Sequence, residues 1–169
     1  MSIVYVKPVI ELSMRQICKK PYFNHKHGCP NYGKRPTCPP FAPLVYDFFD
    51  MSKPILAVWV ALDLELHREK IRIKHKDWSK RQLDCCLYWQ GTLLKRLRRD
   101  VEYNLHRHLF NNAEHLIVTY VPEAMGVNVT ATMMEVGVVL EWPPEKTVIK
   151  VAFIGVKKIK NRQRRELGV

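Results

Sequence analysis

The sequence predicts a single α/β domain, a sandwich with a mixed sheet, one long amphipathic helix and an N-terminal loop rich in cysteine and proline. Dense apolar runs with β-branched residues at 54–64 and 147–156 predict buried strands. Between them, residues 78–109 repeat apolar side chains at helical spacing, and strands separated by helices favour an α/β sandwich. The 169 residues contain no repeat or linker, so we assign 1–156 to one domain and 157–169 to a basic C-terminal tail.

The first elements are short. Residues 3–10 read as a strand, and residues 11–18 as one or two helical turns. A proline suits the first position of a helix, so we predict a short helix over 43–52. The run 54–64 follows it directly and, because both of its faces are apolar, is predicted to be a buried central strand.

The long helix is predicted from Trp78 to Leu109, with Gly91 marking a kink or a close contact inside it. Its apolar positions recur at steps of three and four and are Leu83, Leu87, Leu94, Leu97, Val101, Leu105 and Leu109.

The second half of the chain predicts mainly strands. A buried strand is predicted over 114–122, where a proline ends it. Residues 130–136 predict a short helix that is followed by an apolar strand into Trp142. A proline turn then precedes the strand 147–156.

The chain is predicted to be cytoplasmic, with no membrane segment. No stretch reaches the roughly 18 apolar residues of a membrane span, and the N-terminus lacks the residue order of a signal peptide. In a reducing compartment, clustered thiols more often bind metal or act in catalysis than form disulfides. The odd number of cysteines, 5, agrees with that interpretation.

The loop 18–43 holds Cys18, Cys29 and Cys38 among prolines and glycines. The three thiols are too far apart in sequence to share one helical face, so the chain must fold back to bring them together. Proline restricts the backbone and glycine permits tight turns. We therefore predict a stiff loop whose three cysteines form a metal site.

The type of metal stays open at the sequence level. Zinc requires four ligands, so a fourth would come from His25, His27, Cys85 or Cys86. An iron–sulfur cluster of the 4Fe-4S type would use the three loop thiols and leave one iron open to substrate. The spacing matches neither the usual zinc pairs nor the ferredoxin runs. Structural thiols remain an alternative, and Cys85 and Cys86, on the predicted long helix, would serve in packing or as a supporting ligand.

The segment "GCPNYGKRPTCPPFAP" resembles the cysteine-rich signature of an uncharacterised family of predicted metal-binding proteins. That signature combines a cysteine, a Tyr-Gly pair and a Cys-Pro-Pro near the N-terminus, and "MMEVGVVL" (133–140) is similar to a later family segment. The resemblance implies that Cys29 and Cys38 bind metal with Cys18 as third ligand, and it implies no established reaction. Family members often carry a second cysteine group shortly before the later segment, whereas residues 121–132 contain none.

The net charge of +12 predicts a polyanionic partner, nucleic acid and most simply RNA. No acidic residue occurs between Glu11 and Asp47, and aromatic side chains accompany the basic ones in that gap. Such a surface suits phosphate contacts and base stacking. The predicted nucleic-acid contacts are Lys19, Lys20, Lys26, Lys34, Arg35, Arg98 and Arg99.

Glu135 is the predicted catalytic residue, with an ion pair or a helix cap as its alternative role. The sequence has no phosphate-binding glycine loop, nucleophile elbow or dinucleotide fingerprint. The leading hypothesis is an iron–sulfur protein that acts on RNA or a nucleotide, for example in tRNA modification. The alternatives are a zinc-stabilised nucleic-acid-binding module without catalysis and a metal-binding subunit that docks on an acidic protein.

Overall fold

The structure is a computed structural model that describes residues 2–21, 26–109 and 115–159. Its centre is a four-stranded sheet in the order β1-β2-β4-β3. The strands are β1 (Ser2–Val6), β2 (Ile55–Asp63), β3 (Leu116–Thr119) and β4 (Thr147–Val156).

The α/β class is confirmed, but the prediction of a mixed sheet is wrong, because every described strand pair is antiparallel. Strands β2 and β3 do run in the same direction, as a strand–helix–strand sequence suggests. The last strand, β4, lies between them and is antiparallel to both. The parallel relationship therefore exists only between strands that are not neighbours.

Six helices accompany the sheet in the described part of the chain: α1 (Met14–Ile17), α2 (Val45–Phe48), α3 (Leu64–Lys74), α4 (Lys80–Leu83), α5 (Gln90–Leu109) and α6 (Val129–Met134). Two 3₁₀ turns, Cys86–Tyr88 and Pro122–Met125, link some of them. The predicted short helix over 130–136 is confirmed as α6.

Alternation along β2 and β4 divides the core between the two faces of the sheet. On one face, Ile55, Ala57 and Phe153 pack with the segment around α2 and with the chain from Met125 to Met133. On the other face, Val58, Val60 and Ile154 pack against α5, whose side chains Leu93, Leu97 and Val101 are at most 1% exposed. The spacing of four between these α5 residues makes one apolar stripe.

The single long helix predicted over 78–109 is interrupted. A capping box between Ser79 and Gln82 starts α4, and Cys85 then adopts an extended conformation (φ −68°, ψ 119°) that ends the helical hydrogen-bond pattern. Both Cys85 and Cys86 consequently lie in the connection before α5, where Cys86 begins a 3₁₀ turn, rather than on the predicted long helix.

Two further differences arise from side chains that bond to backbone. The helix α3 was not predicted, and Asp63 begins it by accepting a hydrogen bond from the backbone N–H of Leu66 (2.9 Å). The strand predicted into Trp142 does not form. Instead the Glu141 carboxylate accepts hydrogen bonds from the backbone N–H groups of residues 145–147, which fixes the turn before β4.

We expect Gly155→Ala to lower the free energy of unfolding by about 1–3 kcal/mol. A Cβ at this position in β4 would lie 2.8 Å from the Phe49 ring, and both residues are buried. Gly91→Ala is the control, because that helical position has open space around it and alanine there should stabilise by about 0.5–1 kcal/mol. Urea unfolding of both variants measures the difference, and equal stabilities would contradict the packing described here.

The C-terminal end of the sheet ties distant segments together. The backbone N–H of Lys157 donates to the carbonyl of His115 (2.9 Å), and that of Lys158 donates to the carbonyl of Phe48 (3.0 Å). Most of the predicted tail, residues 160–169, lies outside the described residues. No helix in the described part of the chain has the length and apolar character needed to cross a membrane.

Candidate functional site

The first half of the cysteine loop folds back onto the end of α1. Cys18 is the C-terminal cap of α1, and its carbonyl accepts a hydrogen bond from the backbone N–H of Cys29 (2.7 Å). Gly28 is buried at φ +80°, a conformation that suits glycine, and it reverses the chain just before Cys29. Local backbone bonding therefore brings the first two cysteines together.

The second half of the loop is a further set of turns that returns Cys38 to the same region. The N–H of Gly33 donates to the carbonyl of Pro39 (2.8 Å), and the N–H of Cys38 donates to that of Arg35 (2.9 Å). The Arg15 guanidinium donates to the carbonyl of Pro40 (2.8 Å) and thereby holds this half against α1.

The other two loop cysteines influence the Cys18 thiol electrostatically. Burial raises the pKa of the Cys18 thiol, and the nearby groups of Cys29, Cys38 and Glu123 raise it further. All five cysteines are free and partly buried. The loop therefore gathers the three cysteines that the sequence predicts as ligands.

This gathering does not amount to a preformed site for one ion. Within residues 2–21, 26–109 and 115–159, no group of three or more histidine, cysteine, aspartate or glutamate side chains is arranged to hold a metal ion. His27 is exposed on the loop, and His25 lies outside the described residues.

A cavity of about 200 Å³ lies where β3 ends and β4 continues. Strand β3 pairs only with residues 153–156 of β4, so residues 149–151 line the cavity beyond the end of β3. Two ionisable side chains, Glu123 and Lys150, face this space together with the Tyr120 ring. The remaining lining residues are apolar: Leu94, Leu97, Val129, Leu140, Ile149 and Val151.

The protein surrounding the cavity shifts both ionisable groups towards their neutral forms. Glu123 is exposed as a residue, but its carboxyl is surrounded by protein groups, and this desolvation raises the pKa of the carboxyl despite the opposing effect of Lys150. Burial likewise lowers the pKa of Lys150, while Glu123 and Cys86 oppose that shift. No salt bridge among the described residues joins the two side chains.

The cavity lies between the two cysteine-containing segments. Glu123 is close enough to Cys18 to affect the pKa of its thiol, and Cys86 affects the pKa of Lys150 in the same way. Our sequence analysis missed both Glu123 and Lys150. The lysine inside the otherwise apolar strand 147–156 could have indicated this site, because a buried strand rarely carries an unpaired charge.

Glu135, the predicted catalytic residue, is exposed as the C-terminal cap of α6 and is not part of the cavity wall. Its backbone N–H donates to the carbonyl of Ala131 (3.2 Å). Its catalytic role stays a prediction.

The predicted nucleic-acid contacts are exposed, and two of them lie beside aromatic rings. The Lys19 ammonium lies 5.2 Å from the centre of the Tyr32 ring, and the Arg98 guanidinium lies 5.8 Å from that of Tyr120. Arg99 lies 3.6 Å from the Asp100 carboxylate. The full exposed set is Lys19, Lys20, Lys26, Lys34, Arg35, Arg98 and Arg99.

An aromatic stack between α3 and α5 was not anticipated from the sequence. The rings of His75 and Trp78 stack with their centres 4.0 Å apart, and Tyr88 lies 4.7 Å from Trp78. Tyr88 is 48% exposed, and the lysines at 76 and 80 beside the stack are exposed as well. Aromatic faces with basic neighbours are a common platform for unpaired bases.

Comparison of the chain with protein-family models, with curated proteins and with solved structures found no match.

Proposed function

We propose that this protein binds an iron–sulfur cluster of the 4Fe-4S type through Cys18, Cys29 and Cys38 and acts on RNA or a nucleotide. The observation that supports this most strongly is the way the loop folds Cys29 back onto Cys18, where the two backbones share a hydrogen bond of 2.7 Å. The fold of the loop depends on backbone hydrogen bonds and glycine turns within it. A stiff loop loses little entropy when it binds a metal group.

The number of loop thiols favours a cluster over a single zinc ion. Tetrahedral zinc requires four ligands, and the loop supplies three cysteines. A cluster can bind through three thiolates and leave one of its irons without a protein ligand. When bound, it would supply an iron that is open to a substrate atom.

The exposed cations support a nucleic-acid substrate. They surround the cysteine loop, in a stretch without acidic residues, and a further set lies on α5. The aromatic stack of His75, Trp78 and Tyr88 adds a surface on which bases can stack. Together these features support a role in RNA modification, for example of tRNA, in the reducing environment of the cytoplasm.

Glu135 is the proposed acid–base residue, and Glu123 is the alternative because it lies close to the cysteine loop. A zinc-stabilised, non-catalytic nucleic-acid-binding module is the second candidate function. The bond from Arg15 to Pro40 favours it, because this contact gives the loop a structural role in packing against α1.

The metal content of protein purified without oxygen tests the proposal. We expect a brown protein that contains iron and acid-labile sulfide, about four of each per chain. Cys29→Ser and Cys38→Ser should lose most of the iron. Cys85→Ser is the matched control and should retain it, because Cys85 lies outside the loop. A colourless protein with one zinc per chain would establish the zinc module instead, and a protein without metal would refute both.

A further inference from the structure

We propose that the cavity beside β4 is a binding site for a small molecule that carries a carboxylate and a short apolar chain. The proposal does not depend on a metal at the cysteine loop, because the cavity is built from α5, β4 and the segments after β3 and α6. The proposal gives Lys150 and Glu123 a role in binding. Neither residue is a ligand of the proposed cluster or a phosphate contact of the proposed nucleic-acid surface.

The position of the cavity follows from the topology of the sheet. After Thr119 the chain leaves the sheet and forms the 3₁₀ turn Pro122–Met125. This turn places Glu123 across the cavity from the edge of β4 that β3 does not cover. Leu94 and Leu97 of α5 wall one side, and Val129 of α6 contributes to another. A concave, mostly apolar space with a few converging polar groups is the usual form of a small-molecule site.

The positively charged side chains at the cavity favour a negatively charged ligand. Lys150 projects from β4 into the space without a salt bridge to Glu123 among the described residues, so its ammonium is available to a ligand carboxylate. The Arg98 guanidinium over the Tyr120 ring adds positive charge beside the cavity wall. Glu123 does not oppose an anion when it carries a proton, and it can then donate a second hydrogen bond to the carboxylate.

The size and walls of the cavity select the rest of the ligand. A volume of about 200 Å³ is below the range of about 300–1,000 Å³ typical of sites for drug-sized ligands, so a nucleotide does not fit inside it. Six of the nine lining residues are aliphatic, but polar and apolar atoms face the space in similar proportion, so it suits only a short hydrocarbon chain beside a polar group. A short-chain carboxylic acid satisfies both conditions.

Calorimetric titration with butanoate and hexanoate tests this, with butylamine and butanol as ligands of similar size and different charge. We expect saturable binding of one or both carboxylates and much weaker binding of the amine and the alcohol. Lys150→Met should weaken carboxylate binding about tenfold or more, because it removes a charged hydrogen-bond donor. Lys146→Met is the matched control, since Lys146 is exposed just before β4, and it should bind as the unaltered protein does.

Two further variants keep the test decisive if Lys150→Met does not fold. Lys150→Arg retains the charge and should retain most of the binding. Leu140→Phe narrows the cavity and should weaken hexanoate more than butanoate. Equal binding of amine and carboxylate, loss of binding in Lys150→Arg, or an unchanged ratio of hexanoate to butanoate affinity in Leu140→Phe would overturn the proposal. The Cys38→Ser variant should bind carboxylates as the unaltered protein does, because the cavity is a separate site from the cysteine loop. Loss of carboxylate binding in this variant would show that the cavity depends on the loop.

Discussion

Replacing Gly28 with alanine is expected to disrupt the cysteine loop and to remove most of the metal that we propose it binds. Gly28 adopts φ +80°, and a Cβ there would lie 2.6 Å from the Cys18 carbonyl oxygen and 2.8 Å from the carbonyl carbon of Lys19. Both contacts are with backbone, so no side chain can move aside to relieve them. The hydrogen bond from Cys29 to Cys18 must then break or shift. We expect the free energy of unfolding to fall by about 2–4 kcal/mol.

Gly33→Ala is the control within the same loop. Gly33 also has a positive φ of +68°, but a Cβ at this position meets nothing within 4 Å. Only the conformational cost of about 1 kcal/mol applies, and the metal content should be nearly unchanged. Chemical unfolding and metal analysis of both variants give the comparison. If Gly28→Ala matches Gly33→Ala in stability and metal content, the close approach of Gly28 to Cys18 does not organise the loop.

The RNA binding that we propose is expected to weaken steeply as salt increases. Each phosphate that a lysine or arginine neutralises releases counterions, so about six contacts reduce the affinity roughly a thousandfold between about 50 and 200 mM salt. Anisotropy with labelled tRNA and with a single-stranded oligonucleotide measures this. The steepness follows from the number of exposed cations on the loop and on α5.

A charge-reversal pair locates the contact surface. Lys34→Glu combined with Arg35→Glu should weaken binding at both salt concentrations and should leave the fold intact, because both side chains are exposed. Lys7→Glu combined with Lys146→Glu changes the net charge equally at exposed positions outside the loop and should have a smaller effect. Equal effects of the two pairs would indicate nonspecific attraction. An absence of binding at the lower salt, with the metal site intact, would exclude nucleic acid.

Local patterns in the sequence determined several elements of this fold. The apolar runs that became β2 and β4 are recognisable because both of their faces are buried, and the repeat of Leu97, Val101 and Leu105 marks α5. The composition of residues 18–43 likewise predicts a folded-back loop, since glycine and proline restrict the turns that are available. Each of these inferences depends on residues close together in the chain.

Contacts between distant residues decided the rest. The insertion of β4 between β2 and β3 depends on long-range pairing, which no local pattern encodes. The same is true of the cavity, where Glu123 and Lys150 meet only because the chain leaves the sheet after Thr119. Hydrogen bonds that the Glu141 carboxylate accepts from backbone N–H groups of the following turn replaced the predicted strand before β4. The sequence by itself determined the buried strands β2 and β4, the helix α5 and the cysteine loop, and only the tertiary structure decided which side chains face one another, because that depends on strand order and packing.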